Sequence, residues 1–534
     1  MRQYQVVRTG RIAPKFIRMN SDRQPCVCVP VCEKSFASLQ IAARKAAEMG
    51  DMIEFRLDCL EPAEFEKANS SIAQFLDSLS LQAILTFRPA EQGGHRAADY
   101  ASRISFWKTR QSQATTELFD VELDIAAGLV SSNTTLPAAR WSHIICSHHD
   151  FSGVPANLEQ IYEQLANTPA RILKIAVQAN DVTDCLPIFR LLERARSERR
   201  ELIAIGMGAA GIATRILGPS RGSFLTYGAL EKERGTAPGQ ITAGELKSLY
   251  QIHKIDRQTP ICGLVGMPAM HSVSPHMHNA AFDAENVNGV YIPFEVRDVA
   301  SFFKRMVHPR SREIDWKLQG LSITAPHKSI VMEHLDWVEP TASEIGAVNT
   351  VVVGADTLLG YNTDAEGMIE PLNKMVGSLS GLRVAVIGGG GAASAAVWAL
   401  KQKNADVTLF VRDLAKGSRL AERFEISCLP LSRALFSDYA VVINATPLGS
   451  LGAAINETPA TAEQLRGARL VYDLVYNPID TRFLREARKA GCETIGGLEM
   501  LVGQARRQFK LWTGKTANPA VMHTAASNAL QGQS

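Results

Sequence analysis

Two lysines are placed where a lysine could do chemistry. Lys174 lies inside ILKIAV, an apolar run that a buried parallel strand would cover on both faces. Pointing inward, it would be desolvated, which favours the neutral amine. A neutral amine turns a ketone into an imine and so acidifies the adjacent carbon, a route to eliminating water from a β-hydroxy ketone. On a surface strand the same lysine would simply be solvated. His149 ends the preceding strand candidate, in Ser147-His148-His149-Asp150-Phe151, placed for the base and acid roles that elimination needs. Arg56, Arg88 and Arg215 are cationic donors suited to an anionic, hydroxyl-rich substrate. The second lysine, Lys328, follows Thr324-Ala325-Pro326-His327, and Asp364 ends Asn362-Thr363-Asp364. Such a pair can deliver the proton that a carbonyl needs as hydride arrives. Taken singly, each reads as an ordinary surface charge.

The glycines Gly388, Gly389, Gly390 and Gly391, with Ala392, follow the strand RVAVI and open a small-residue helix. Glycine there lets the backbone approach a pyrophosphate, whose charge meets the helix N-terminus. The same turn also serves plain strand–helix packing. The next strand ends Val411-Arg412-Asp413. Its last residue is not acidic, and Arg412 with Lys416 supplies positive charge, so the expected cofactor is NADP rather than NAD. Asp413 works against that preference.

The elements that must carry these residues fall into two runs. Strand candidates CVCVPV (26–31), MIEFRLD (52–58), QAILTFR (82–88), LFDVEL (118–123), HIICSHHD (143–150), RILKIAV (171–177), LIAIGM (202–207) and FLTYG (224–228) alternate with amphipathic helical stretches. Eight such units make an α/β fold of the (β/α)8 barrel type, expected over 25–255, with a doubly wound open sheet as the alternative. Polar residues gather at the C-terminal ends of these strands (Glu54, Arg56, Asp58, Arg88, His149), where barrels place their chemistry. After the helix ELKSLYQIHKI, the polar DRQTP marks a boundary near 255–260. A second, two-lobed α/β region follows: a substrate-binding lobe over 260–365, completed by C-terminal helices at about 498–525, and a Rossmann nucleotide lobe over 366–497. Residues 1–24 read as an N-terminal extension.

The bulk numbers exclude several classes. With 534 residues, 46% hydrophobic and 21% charged, the chain has the composition of a globular protein of two or more domains. A net charge of +3 gives no case for nucleic acid or for a membrane surface, and no apolar stretch is long enough to span a bilayer. Nine scattered cysteines read as thiols in a reducing compartment. Cys26, Cys28 and Cys32 lack a second pair at zinc-finger spacing, and His148-His149 and His276-x-His278 lack metal-motif spacing, so no metal is expected. The opening MRQYQVVRTGRIAPKFIRMN is basic, without the apolar core of a secretory signal and short for a plastid transit peptide, which leaves the cytoplasm as the expected location. The sequence carries no signal for an oligomeric state.

Two resemblances cover most of the chain. The first half resembles type I 3-dehydroquinate dehydratase through Glu54-x-Arg56-x-Asp58, Thr86-Phe87-Arg88 leading to Gly93-Gly94, His149-Asp150-Phe151, Lys174-Ile175-Ala176, Met207-Gly208 followed by Thr214-Arg215, and Thr236-Ala237-Pro238-Gly239-Gln240. The resemblance implies that Lys174 is the Schiff-base lysine, His149 the general acid/base and Arg215 the clamp on the substrate carboxylate. It further implies that Glu54, Arg56, Arg88, Thr236 and Gln240 hold ring hydroxyls or shape the site. Residues 260–525 resemble shikimate dehydrogenase. The landmarks are His271-Ser272-Val273-Ser274-Pro275 with His278-Asn279, Thr324-x-Pro326-His327-Lys328, Gly346-Ala347-Val348-Asn349-Thr350 and Asn362-Thr363-Asp364. They continue through the glycine turn to Asn444-Ala445-Thr446-Pro447-x-Gly449, Tyr476-Asn477-Pro478 and Gly497-Leu498-x-Met500-Leu501-x-x-Gln504-Ala505. By this resemblance Lys328 and Asp364 are the catalytic pair, and Ser272, Ser274, Thr324, Asn349 and Gln504 bind the substrate, with Tyr476 nearby. Gly388, Gly390, Gly391, Ala392, Arg412, Lys416, Asn444, Thr446 and Gly497 would form the NADP side. Together the resemblances imply one chain that dehydrates 3-dehydroquinate to 3-dehydroshikimate and reduces that product to shikimate with NADPH. The expected partners are these small molecules.

Departures from the two families sharpen the expectations. Val411-Arg412-Asp413 replaces the usual Asn-Arg-Thr, which weakens the NADP preference, and Thr236 replaces a serine but keeps the hydroxyl. The serine pair at 272 and 274 favours shikimate over quinate. Gln92 stands where the dehydratase family has a glutamate that orients the histidine and supports its protonated form. An amide can orient His149 but cannot stabilise an imidazolium by charge. One competing reading is a dehydrogenase with an impaired barrel, and another is a metabolite sensor on the same folds, although all four catalytic residues are present and no DNA-binding segment is appended. Gln92→Glu should raise the dehydratase turnover number in a steady-state assay, and an unchanged rate would reject the argument from charge.

Overall fold

The computed structural model describes residues 24–532 apart from 80, 112–116, 132–137, 233–234, 237–238 and 453. The expected extension (all but residue 24) and the Ala237-Pro238 part of one landmark lie outside the described residues. The chain divides into two compact units, one running to Asn180 and over Pro187–Lys254, the other comprising Asp181–Leu186 and the chain from Ile255 onward.

The first unit is a (β/α)8 barrel. Its strands are β1 (Val27–Val31), β2 (Met52–Arg56), β3 (Gln82–Thr86), β4 (Leu118–Glu122), β5 (Ile144–Asp150), β6 (Ile172–Gln178), β7 (Glu201–Met207) and β8 (Thr226–Tyr227). Each lies parallel to its sequence neighbour, β8 pairs β1, and a parallel bridge between Leu202 and Ser223 brings the chain entering β8 against β7. The last expected strand, 224–228, is shorter than its pattern suggested, because only two of its residues keep ladder partners.

A strand's two-residue period explains what fills the barrel. Cys28, Met52, Ile84, Leu118, Ile145, Ile172 and Ile203 form one buried apolar layer. Two residues further toward the strand C-termini come Glu54, Thr86, Asp120, Ser147 and Lys174, then Arg56, Arg88, Glu122 and His149. An apolar floor thus gives way to buried charge in a single step on β2, β4 and β6.

Cys32 and Cys59 are joined by a disulfide, their Cα atoms 5.4 Å apart, which corrects the expectation of thiols throughout. The end of β1 and the turn after β2 are neighbours, so residues distant in sequence meet there. Seven cysteines are free. Among the described residues one His/Cys trio is close enough to share an ion, Cys32, Cys59 and His95, and its two sulfurs are bonded to each other. The expected helix ELKSLYQIHKI is two short turns, Glu245–Leu249 and Ile252–Lys254, separated by Gln251 at φ 45°.

The second unit holds two sheets. The first is mixed, in the order β10-β9-β11-β13-β14-β12, from β9 (Ile261–Gly266), β10 (Val290–Glu295), β11 (Leu318–Ile323), β12 (Trp337–Val338), β13 (Thr350–Val353) and β14 (Leu358–Tyr361). The second is wholly parallel, from β15 (Arg383–Ile387), β16 (Asp406–Val411), β17 (Ser427–Pro430), β18 (Val441–Asn444), β19 (Leu470–Asp473) and β20 (Glu493–Ile495). Its order, β17-β16-β15-β18-β19-β20, is that of a Rossmann dinucleotide-binding sheet, with a topological switch between β15 and β18.

The last two helices, Gly497–Thr513 and Pro519–Gln531, return to the first of these sheets. Leu498, Val502, Phe509, Trp512, Met522 and Leu530 share its core with Cys262, Leu264, Met277 and Tyr291. Trp512 donates its indole N–H to the Val351 carbonyl at 3.0 Å and packs against Gly320, where a β-carbon would fall 2.1 Å from the indole nitrogen. Gly320→Ala should therefore push the helix off the sheet and destabilise the second unit by about 1–3 kcal/mol. Calorimetry of the full chain would show this as a lowered unfolding midpoint; an unchanged midpoint would mean the contact opens without cost.

Candidate active sites

The barrel's C-terminal mouth brings Glu54, Arg56, Arg88, His149, Lys174, Arg215, Thr236 and Gln240 around one small cavity of about 50 Å³. Lys174 is 4% exposed and points inward. Its Nζ donates to Asp120 Oδ2 at 2.6 Å and to the Tyr227 hydroxyl at 2.9 Å, with Glu54 Oε1 at 3.5 Å. Where the sequence led to the expectation of apolar surroundings, the lysine thus meets two carboxylates. Asp120, in direct contact with Nζ, is the counter-ion of this lysine.

Arg88 ties the layer together. Its Nη2 lies 2.7 Å from Asp120 Oδ2, and its Nη1 lies 2.8 Å from His149 Nδ1 and 3.4 Å from Ser147 Oγ. Burial opposes charge on Arg88, but Asp120, Glu122 and Glu54 outweigh it and hold the guanidinium above its ordinary range. Burial would likewise raise the Asp120 carboxyl, yet Arg88 and Lys174 bring it far below the carboxylate range. Glu122, buried beside Asp120, is pushed up to about 7 despite Arg88 and Arg103. Arg56 forms a two-pronged pair with Asp58, at 3.0 and 2.8 Å, and reaches the Gly93 carbonyl at 3.2 Å. Arg215 is 1% exposed, and burial lowers it to about 10, leaving a full cation at neutral pH. At the rim Gln240 Oε1 accepts from the Thr236 amide at 2.8 Å.

Gln92 lines this cavity but its buried Oε1 has no partner, and Arg88 is the residue that binds the histidine ring. His149 is held well below the ordinary imidazole range by burial first, then by the Arg88 and Lys174 charges, with Asp120 opposing. An arginine only donates, so Nδ1 accepts in this arrangement and the ring proton sits on Nε2.

The second unit contains a larger cavity, about 590 Å³, lined by Ser272, Ser274, Thr324, Lys328, Asn349, Asp364, Tyr476 and Gln504. Lys328 Nζ donates to Asp364 Oδ2 at 2.6 Å; the lysine side chain is 22% exposed and the aspartate 6%. Asn349 Nδ2 donates to Asp364 Oδ1 at 2.8 Å and to Thr363 Oγ1 at 2.9 Å, so its amide braces the carboxylate. Ser272 donates to Ser274 Oγ at 3.0 Å, and burial pushes up the neighbouring Tyr476 phenol against a Ser272 hydrogen bond. Ala392 and Gly497, expected on the cofactor side, line this same cavity.

The glycine turn forms its own cavity of about 290 Å³ with Gly388, Gly390, Arg412, Lys416 and Thr446. Gly388 sits at φ 127°, and a β-carbon there would lie 2.8 Å from the Ala445 carbonyl oxygen. At Gly390 nothing lies within 4 Å of the space a β-carbon would take, and Gly391 begins the helix Gly391–Lys401, whose N-terminus no side chain caps. An uncapped helix N-terminus, a glycine cradle and two cations fit a dinucleotide phosphate. Asp413, expected to oppose the NADP phosphate, accepts from the amides of Ala415 and Lys416 as the N-cap of the next helix, which offsets its charge. Asn444 lies behind this cavity rather than in it: fully buried, it donates to Asp473 at 2.9 Å and accepts from the Thr446 hydroxyl at 2.7 Å.

Reading the sequence by motif passed over Asp120, Glu122 and Tyr227 in the barrel and Gln508 in the second unit. The first two were accessible from the alternation in LFDVE, which turns both acids inward with the strand period. Gln508 is one helical turn after Gln504; it accepts from Ser322 Oγ at 2.8 Å and donates to Thr350 Oγ1 at 3.0 Å. Nothing in the local pattern marks Tyr227.

A barrel with a buried lysine beside an imidazole, joined to a Rossmann unit with a lysine–aspartate cleft, defines a two-site enzyme that pairs a lyase with an NADP-dependent oxidoreductase. Residues 27–257 match the type I 3-dehydroquinase family, 264–351 the shikimate dehydrogenase substrate binding domain, and 497–526 the shikimate 5'-dehydrogenase C-terminal domain. The chain is 32% identical over 512 residues to the chloroplastic bifunctional 3-dehydroquinate dehydratase/shikimate dehydrogenase of Arabidopsis thaliana, covering 92% of this chain and 82% of that one. It is 29% identical over 493 residues to the shikimate biosynthesis protein AroDE of Chlamydia pneumoniae, covering 91% of this chain and 95% of that protein. Over 270 residues, 49% of this chain and 94% of the relative, it is 38% identical to the shikimate dehydrogenase (NADP(+)) of Caldanaerobacter subterraneus. The chain belongs to the family of bifunctional 3-dehydroquinate dehydratase/shikimate dehydrogenases.

The setting of His149 predicts a pH profile. A base acts deprotonated, and lowering its pKa keeps it deprotonated to lower pH, so the acid limb moves down. In a plot of kcat/KM for dehydration against pH, that limb should lie well below the usual imidazole value of 6.5. A limb at or above that value would contradict the setting described.

Proposed function

We propose that the chain catalyses consecutive steps, dehydrating 3-dehydroquinate in the barrel and reducing the resulting 3-dehydroshikimate to shikimate in the second unit. The observation that carries the proposal is the pairing of a lysine with an acid–base partner in each cavity: Lys174 and His149 in one, Lys328 with Asp364 in the other. We assign 25–255 to the dehydratase, 260–365 with the helices from about 498 to 525 to the shikimate-binding lobe, and 366–497 to the NADP lobe.

In the barrel, Lys174 as the free amine adds to the substrate ketone. The imine so formed draws electrons from the adjacent carbon, and His149 takes the proton there and returns it to the departing hydroxyl. Arg88 must release Nδ1, or the ring must turn, before that nitrogen can act. Arg215 receives the substrate carboxylate, while Glu54, Arg56, Thr236 and Gln240 hold hydroxyls.

In the second unit, Gly388, Gly390, Gly391, Arg412, Lys416 and Thr446 would hold NADPH, which when bound would supply the hydride. As negative charge develops on the carbonyl oxygen, Lys328 delivers a proton, with Asp364 and Asn349 fixing the lysine. Ser272, Ser274, Thr324, Tyr476 and Gln504 orient the carboxylate and ring hydroxyls, and the serine pair favours shikimate over quinate. Asn444 acts from behind by fixing Thr446.

The intact charged layer of the barrel argues against an impaired dehydratase, and the retained lysines argue against a sensor. Seven free cysteines favour a reducing compartment such as the cytoplasm, against which the Cys32–Cys59 disulfide stands, and no helix among the described residues is long and apolar enough to cross a membrane. The reading is tested by adding 3-dehydroquinate and following enone absorbance, then adding NADPH and following its oxidation. Lys174→Ala should abolish enone formation while leaving NADPH oxidation with supplied 3-dehydroshikimate intact. Lys328→Ala should do the reverse, lowering the reduction rate by about 10²–10⁴-fold. Loss of both activities in either variant, or of neither, would reject the assignment of two separate sites.

A further inference from the structure

Tyr227 has no role in the steps above, yet it touches the reacting nitrogen. Its hydroxyl lies 2.9 Å from Lys174 Nζ, its ring centroid lies 4.5 Å from the same atom, and it lines the dehydratase cavity at 4% exposure. Among the described residues three groups reach Nζ. Asp120 is anionic and Glu54 already accepts from the Thr86 hydroxyl at 2.7 Å; as carboxylates both only accept protons. His149 is engaged by Arg88 through Nδ1. Arginines in the layer only donate. Burial, reinforced by Glu54, Cys28 and Asp120, pushes the Tyr227 phenol well above its ordinary range, so it is a neutral hydroxyl that can both give and take a proton.

We propose that Tyr227 is a further catalytic residue of the dehydratase, its phenol relaying a proton between Lys174 Nζ and the ketone oxygen as the carbinolamine forms and collapses; this rests on the dehydratase function proposed above. As the amine adds, the N–C bond forms and the carbonyl π pair moves to oxygen, giving an ammonium and an alkoxide on one carbon. That alkoxide oxygen is two bonds from Nζ, within reach of a hydroxyl already hydrogen-bonded to Nζ. The phenol gives its proton to the alkoxide and takes one from the nitrogen, so the zwitterion becomes a neutral carbinolamine and Tyr227 ends unchanged. The same relay runs backward when water releases the product from the lysine.

Tyr227→Phe removes one oxygen and keeps the ring. Rapid mixing with 3-dehydroquinate, borohydride trapping and intact mass should show the covalent adduct on Lys174 forming about 10²-fold more slowly than in wild type. The variant's NADPH oxidation with 3-dehydroshikimate and its unfolding midpoint should be unchanged, which reports an intact chain. In wild type the trapping rate should be slower in heavy water, and the variant should lose that isotope effect. An unchanged adduct rate in the variant would overturn the relay, and so would a wild-type rate insensitive to heavy water, a result independent of how the variant folds. Absence of any adduct and any enone in wild type would instead reject the dehydratase function itself, a separate outcome from failure of the relay.

Discussion

A closed barrel gives every second side chain of a strand an interior address with almost no water in it. Lys174 has such an address, and a lone ammonium there would carry a desolvation penalty of several kcal/mol. Asp120 offsets that penalty from the neighbouring strand, and once Asp120 is present it fixes Arg88, which fixes His149. Breaking one partner of such a pair typically costs about 3–5 kcal/mol, because the survivor is left buried and uncompensated. The charged layer therefore exists as a whole, and Lys174, its counter-ion Asp120 and the His149 imidazole arrive in register with one another.

The second unit solves a different problem with a different degree of burial. Lys328 is partly open to the cleft while Asp364 is nearly closed off, and Asn349 uses its amide to hold the carboxylate. The Lys328 side chain is 22% exposed, against 6% for that of Lys174 in the barrel. Behind the nucleotide cradle, Asp473 is raised to about 6 by burial and anchors Asn444 and Thr481, setting the backbone from which Thr446 projects.

Much of this was legible in the chain. The eight barrel strands fall within two residues of their apolar runs, because a parallel strand buried on both faces is apolar over most of its length. The motif residues around Lys174, Lys328 and the glycine turn converge on three cavities. Less legible were partners contributed by distant strands. Gln92 was read as the orienting group for His149, yet Arg88 makes that contact, since only the closed barrel brings β3 and β5 side chains to one point. The helix expected over ELKSLYQIHKI breaks at Gln251, whose left-handed backbone no periodicity signals.

The sequence by itself determined the element types, their order, and the side chains able to do chemistry, because hydrophobic period and glycine placement are local properties of a chain. Tertiary structure alone decided the electrostatic state of those side chains. Whether Lys174 meets apolar walls or Asp120, whether Asp413 opposes a phosphate or caps a helix, and whether Tyr227 reaches an amine all depend on groups far away in sequence. Charge interactions fall off with distance in space, and only folding sets those distances.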